Sequence, residues 1–441
     1  MGLFVYRSRL KQLISWKDHP YRLPLIIRGA RQVGKSYLVN QLGQLFANQV
    51  SLNFERNPGS KALFQKEKDP RQLIAMIAAY QDQAILPGQT LLFLDEIQEC
   101  EEALQSLRYF KEELPSLHVI AAGSLLDFTL EKIGMPVGRV QFLHVYPLSF
   151  GEYLEAMGQS ELHRFALQGV NIPPPLHEKL LDALRYYCWL GGMPAVIDAW
   201  RQHQNPQFCL EIQDQIIQAY RQDFEKYTKK HQVAHVTKIF DQVGLQLGQK
   251  FKYSKADPES RSAALKEALN LLSMAGIVYR CHHSAGQDLP LSALMDQQKM
   301  KVFFFDIGLL QRIQGVKLKD WLLAPLSVTY LGALAEQWVA QEYIALSSIT
   351  APPDLFYWQR EAKQSNAEID FLFNLDGDIV PVEVKSGSGG RLRSLALFMA
   401  SHLHSKRALV ISERPAWQQD TIMGIPFYAL ERIIMQGGNL S

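Results

Sequence analysis

Apolar residues in the first third of the chain fall into short unbroken runs: Leu25-Ile26-Ile27, Thr90 to Leu94 and His118 to Ala122. Runs of this length suit strands buried on both faces. Their alternation with helical spacing over residues 21–150 predicts a parallel α/β sheet. Residues 1–20 read as a helical lead-in, and Pro147 is a plausible break. Residues 151–228 stay helical, interrupted by a loop at Asn171-Ile172-Pro173-Pro174-Pro175. Over 229–322, helices at Val233 to Leu247 and Ser262 to Leu272 precede strand-like runs at Ile277 to Arg280 and Val302 to Phe305. Helices followed by a hairpin fit a winged-helix-like module. In the last stretch, 323–441, strands at Ala367 to Phe373 and Ile379 to Lys385 flank Asp376-Gly377, a strong hairpin-turn pair.

The chemistry begins at the end of the first run. Gly29-Ala30-Arg31-Gln32-Val33-Gly34-Lys35-Ser36 reads G-x-x-x-x-G-K-S between a strand and a helix. That arrangement aims backbone N–H groups and a helix N-terminus at phosphate. The expected ATP contacts are Gly29, Arg31, Gln32, Val33, Gly34, Lys35, Ser36 and Tyr37. Lys35 would reach the β- and γ-phosphates, and Ser36 would ligate Mg²⁺. The second run ends in Asp95-Glu96. Asp95 would hold Mg²⁺ through water, and Glu96 would act as general base on the attacking water. The Asp-Glu order suggests a hydrolase rather than a kinase. Ser124, after the third run, is either a polar sensor beside the γ-phosphate or a helix N-cap.

A two-residue turn at Asp376-Gly377 sets Leu375 opposite Asp378. Counting outward, it sets Asp370 opposite Glu383 and Glu368 opposite Lys385, all on one face. Opposed carboxylates about 5 Å apart repel. A divalent ion between Asp370 and Glu383 relieves this, because hard Mg²⁺ prefers oxygen ligands. Lys385 could then orient or deprotonate a water. Pro381 removes a ladder donor, so its segment must lie at an edge or a bulge.

These stretches, with Ala122-Gly123-Ser124, Gly138-Arg139, Pro147 to Tyr153 and Gly191-Gly192-Met193-Pro194, resemble the prokaryotic AAA-type ATPases that carry a C-terminal domain of unknown function. The resemblance covers nearly the whole chain. It implies ATP binding and hydrolysis, with 21–150 as the ATPase core and 151–228 as its helical lid. The Gly191 to Pro194 turn is then either close to the adenine or a plain helix–helix turn. Arg139 is the candidate charge-stabilising arginine, acting on its own or a neighbouring subunit. The C-terminal pattern resembles the D…E-x-K core of the PD-(D/E)xK nucleases, and Glu336 fits that family's helix glutamate. The implied fold is multidomain α/β, ending in a restriction-endonuclease-like domain. The implied function is an ATP-driven switch coupled to a Mg²⁺-dependent, DNA-directed site. The other reading is an interaction protein whose C-terminal domain binds without cutting.

Composition narrows this. A chain of 441 residues with 47% hydrophobic content supports several cores. A net charge of +2 gives no global pull toward nucleic acid, so DNA contact must come from local patches such as Lys250, Lys252, Lys255, Arg261 and Lys266. Four scattered cysteines, with no C-x-x-C, favour a reducing cytoplasm over a zinc or disulfide framework. His282-His283 lacks nearby ligands and reads as no metal site. The first residues hold too short an apolar stretch for a signal peptide, and no run approaches the length of a bilayer span. A homo-oligomer and a protein partner stay open.

Overall fold

The computed structural model describes residues 6–124, 126–133, 138–228, 230–323, 328–347, 350, 353–360, 367–386 and 392–435. The first residues, read above for a signal peptide, lie outside that range up to residue 5. The chain divides into two compact units, residues 7–146 and the described residues from 147 onward, apart from residue 350, which goes with the first.

The first unit runs α1 (Arg9–Asp18), β1 (Leu25–Arg28), α2 (Lys35–Gly43), β2 (Asn48–Asn53), α3 (Lys61–Lys66), α4 (Pro70–Gln81), β3 (Thr90–Asp95), α5 (Glu101–Glu113), β4 (His118–Ala122), α6 (Leu126–Ile133) and β5 (Gln141–His144). Local signals explain the helix starts. Asp69 caps α4 by accepting from Arg71 N, with Pro70 in the first turn. Glu101 and Glu102 open α5 and Lys111 closes it, matching the helix dipole. The sheet is entirely parallel, in the order β2-β3-β4-β1-β5. The expected apolar runs are its β1, β3 and β4, and β3 is buried along its length up to Leu94. Leu92, Leu94, Val119 and Ala121 pack with Phe64, Leu73, Leu104 and Phe110 from the helices. The register sets Asp95 and Ile27 level with Ala122, so β1, β3 and β4 end together. The lead-in helix belongs to this unit: Trp16 meets His118 edge-on at 5.8 Å and donates to Leu23 O at 2.8 Å.

The second unit begins with helices α7 (Phe150–Ala156), α8 (Ser160–Gln168), α9 (Pro174–Leu190), α10 (Pro194–His203), α11 (Pro206–Tyr227), α12 (Lys230–Val243), α13 (Tyr253–Ala256) and α14 (Ser262–Met274). Then come β6 (Val278–Ser284), β7 (Met295–Phe304), α15 (Ile307–Ile313), α16 (Leu318–Leu323), α17 (Val328–Leu346), β8 (Leu355–Gln359), β9 (Glu368–Ile369), β10 (Phe371–Leu375) and β11 (Asp378–Val384). It closes with α18 (Arg393–Ser401), β12 (Ala408–Ser412), β13 (Trp417–Gln419), β14 (Ile422–Pro426) and α19 (Leu430–Met435). Ser149 and Glu152 form a capping box on α7. Pro174 starts α9 rather than extending the loop, as suits proline in a first helical turn.

Two expectations change here. The helices of 151–228 pack into this unit: Gln213 donates to Trp189 O and Leu190 O, and Gln311 of α15 donates to Cys188 O. The hairpin β6–β7 is not a free wing. It joins the sheet β7-β6-β8-β9, where Cys281 pairs with Leu355 in parallel. Main-chain pairing therefore crosses the expected boundary between 229–322 and 323–441.

The last sheet has the order β10-β11-β12-β14-β13. Pro381 lies in β11, opposite Leu372, yet β11 is not an edge strand. The proline is accommodated because pairing with β12 starts only at Val382.

Candidate functional site

The nucleotide-binding candidates lie in the first unit. β1 ends at Arg28, and the loop turns through Gly29 (φ 139°), Gln32 (φ 64°) and Gly34 (φ 95°). A Cβ on Gly29 would lie 2.1 Å from Val145 O, so only glycine fits that close approach. Gly34 then opens α2. Val33 is buried, Gln32 is exposed, and Arg31 and Tyr37 are half-buried. The Tyr37 hydroxyl accepts from Gln41. Lys35 is 7% exposed, and its ammonium donates to Gly29 O (3.0 Å) and Ala30 O (2.9 Å). Burial lowers its pKa to about 8, against the pull of Glu96 and Asp95.

The Ser36 hydroxyl donates to both Asp95 oxygens, at 3.1 and 3.3 Å. The two ends of the motif therefore meet, a pair of hard oxygen donors suited to Mg²⁺. Glu96 stands just past β3 with φ 51°, a left-handed backbone that few non-glycine residues adopt. Its Oε2 accepts from Gln98 at 2.7 Å. Ser124 follows β4, two residues beyond the level of Asp95.

The sequence reading missed two residues here. Asn53 ends β2, pairs in register with Asp95, and donates to its Oδ2 at 3.0 Å. Gln98 holds Glu96 and sits over Gly123, where a Cβ would come within 2.2 Å of Gln98 Oε1. The alternation of buried Val50 and Leu52 with polar neighbours, ending in Asn53, was the available signal for Asn53. Gln98 left none, because its contact depends on the turn at Glu96.

Arg139 is a correction. It precedes β5 at the level of the amino ends of the strands, since Gln141 is level with Leu25, and it pairs with Glu112 at 3.2 Å. The phosphate loop leaves the opposite, carboxyl edge. Arg139 is therefore removed from the loop of its own chain.

The Gly191-Gly192-Met193-Pro194 stretch is the turn between α9 and α10, buried against Asp306 and Leu148. Gly192 N donates to Asp306 Oδ2 at 2.6 Å, and Gly192 O accepts from Leu148 N at 2.7 Å. Of the two readings, this is the helix–helix turn.

The acidic candidates lie in the second unit. The turn register holds from Leu375–Asp378 to Phe371–Val382. It stops there, because Asp370 sits at a bend where the chain passes from β9 to β10. Asp370 Oδ2 accepts from Val384 N at 2.8 Å instead of standing squarely opposite Glu383. Glu368 pairs with Gln359 of β8, not with Lys385. Lys385 N donates to Ile411 O, and its ammonium bonds Glu383 Oε1.

A residue from outside the pattern enters the cluster. Lys301 of β7 is 1% exposed. Its Nζ lies 2.6 Å from Glu368 Oε1, 2.9 Å from Glu336 Oε2 and 3.9 Å from Asp370 Oδ1. Burial works against this ammonium, but Glu336, Asp370 and Glu368 outweigh it and raise its pKa well above the usual lysine range. Burial raises Glu336 to about 8 and Glu383 to about 7, the latter reinforced by neighbouring Asp370. Glu383 Oε2 is buried without a hydrogen-bond partner among the described residues.

Asp370 and Glu383 are thus two acids of one buried cluster, with Glu383 Oε2 left unpartnered among the described residues. No group of three or more His, Cys, Asp or Glu among the described residues is arranged to hold a metal. Water or a substrate phosphate would have to complete the shell of any ion held there.

Residues 21–154 match the AAA domain. Residues 181–320 and 331–430 match two domains of unknown function, DUF8612 and DUF4143. No curated protein matches the chain. Among solved structures, C. elegans PCH-2 is 16% identical with a TM-score of 0.24, over 39% of this chain and 51% of that one. The Aeropyrum pernix ORC1 protein in complex with DNA is 12% identical (TM-score 0.29; 70% and 93% covered). The S. cerevisiae Hsp104-ADP complex is 14% identical (TM-score 0.29; 62% and 39% covered). This chain therefore spans about half of the PCH-2 chain. No helix among the described residues is long and apolar enough to cross a membrane.

Proposed function

We propose that the chain is a Mg²⁺-dependent ATP hydrolase acting as a switch on a DNA-directed carboxylate site in its C-terminal part. One observation carries the ATPase reading: Lys35, Ser36, Asp95 and Glu96 converge where β1 and β3 end together. The N–H groups of the loop and the start of α2 take up phosphate charge. Lys35 exchanges the Gly29 and Ala30 carbonyls for the β- and γ-phosphates. Ser36 and Asp95 would hold Mg²⁺, with Asn53 fixing the Asp95 carboxylate. Mg²⁺ supplies charge neutralisation on the transferred phosphoryl group. Glu96, oriented by Gln98, accepts the proton of the attacking water as the bond to the γ-phosphate breaks. Ser124 would meet that phosphate. Arg139 is left only a role on a neighbouring subunit. Steady-state ATP turnover tests this: Lys35→Ala should abolish binding and hydrolysis, and Glu96→Gln should bind without turnover. Unchanged turnover in both sinks the assignment.

At the C-terminal site, Asp370 and Glu383 would hold Mg²⁺, with Lys385 beside them to orient a water. Lys252, Lys255, Arg261 and Lys266 are exposed and available to phosphates. The burial of Lys301 among the acids favours the second reading, an interaction protein whose C-terminal domain binds without cutting. Incubating supercoiled DNA with Mg²⁺ or Mn²⁺, with and without ATP, separates the two. Cutting that Asp370→Ala removes supports a nuclease; intact DNA throughout supports the binding module.

A further inference from the structure

Lys301 belongs to β7, outside the stretch carrying the D…E-x-K pattern, and neither ATP hydrolysis nor that pattern calls for a second lysine. Its ammonium contacts Glu336 of α17 and Glu368 of β9, with Asp370 3.9 Å away and the Tyr357 ring 5.4 Å away. A buried cation here relieves the mutual repulsion of three carboxylates, the task otherwise left to a metal. It also repels any ion that approaches Asp370, and this repulsion is weakly screened because the lysine is 1% exposed. We propose that Lys301 is a tethered counter-cation that closes the carboxylate cluster without a metal and weakens divalent-cation binding at Asp370 and Glu383. This rests on the reading of that pair as a cation site.

The test is Mn²⁺ binding to the full chain without nucleotide, followed by electron paramagnetic resonance of the free ion. All proteins carry Ser36→Ala, to silence the other oxygen-donor pair. Lys301→Met should bind Mn²⁺ at least about tenfold more tightly than the protein that keeps the lysine. Adding Asp370→Asn should remove the gain. Circular dichroism checks folding. If Lys301→Met does not fold, Lys301→Met with Glu336→Gln, which removes one acid of the cluster along with the lysine, replaces it. Equal affinity with and without the lysine overturns the competition and leaves the cation pair standing. No Mn²⁺ bound by either folded protein overturns the cation pair and the competition with it.

Discussion

Replacing Lys35 by methionine keeps the apolar stem and removes the charge. One unit of phosphate charge about 4 Å from an ammonium is worth about 4 kcal/mol at an effective dielectric constant near 20. Against this, the ammonium must give up its bonds to Gly29 O and Ala30 O, about 1 kcal/mol net each. The difference, about 2 kcal/mol, corresponds to about thirtyfold weaker ATP binding. A fluorescent ATP analogue titrated in a Glu96→Gln background measures binding without turnover. Lys35→Arg keeps the charge and should recover part of the affinity. A change under about twofold for Lys35→Met would show that the loop N–H groups alone hold the phosphates and would refute the reasoning.

Other outcomes follow from the same geometry. Gly29→Ala should weaken ATP binding at least about tenfold, because its Cβ would meet Val145 O at 2.1 Å on a backbone with φ 139°; the same titration reads it. Asp306→Ala should leave Gly192 N and Leu309 N without acceptors, costing about 1–3 kcal/mol each, read as faster hydrogen exchange at 191–194 and 306–309. Burial raises the Asp306 pKa from 3.8 to about 6, so the folded chain holds this proton more tightly than the unfolded one. Its stabilising contribution is therefore full at low pH and is lost as pH rises from about 4 to about 6. Asp306→Asn should flatten that slope in urea unfolding followed across pH 4 to about 7. A slope unchanged in Asp306→Asn would assign it to another group.

The parallel core was legible because β1, β3 and β4 are apolar runs and the glycine loop is contiguous. Ser36 and Asp95 meet because one opens the helix after the loop that follows β1 and the other ends β3. Arg139 could not be placed from sequence for the complementary reason: its side of the sheet is set by strand direction and register, which a short motif does not carry. In the C-terminal part, the Asp376-Gly377 turn correctly dictated the pairing of β10 with β11. It could not dictate the bend at Asp370, where a second sheet takes over the chain. Lys301 was illegible from local pattern, since it lies 35 residues before Glu336 and farther still from Glu368 and Asp370.

The pairing of β6 with β8 also bears on how the chain is made. Strand β6 leaves the ribosome about seventy residues before its second partner strand. At 5–20 residues per second, β6 waits about 4–15 s with one edge unpaired. Its buried Val278 and Cys281 are then exposed to other chains. A protein cut after residue 322 would never end that wait, so the stretch 229–322 expressed alone should aggregate rather than fold.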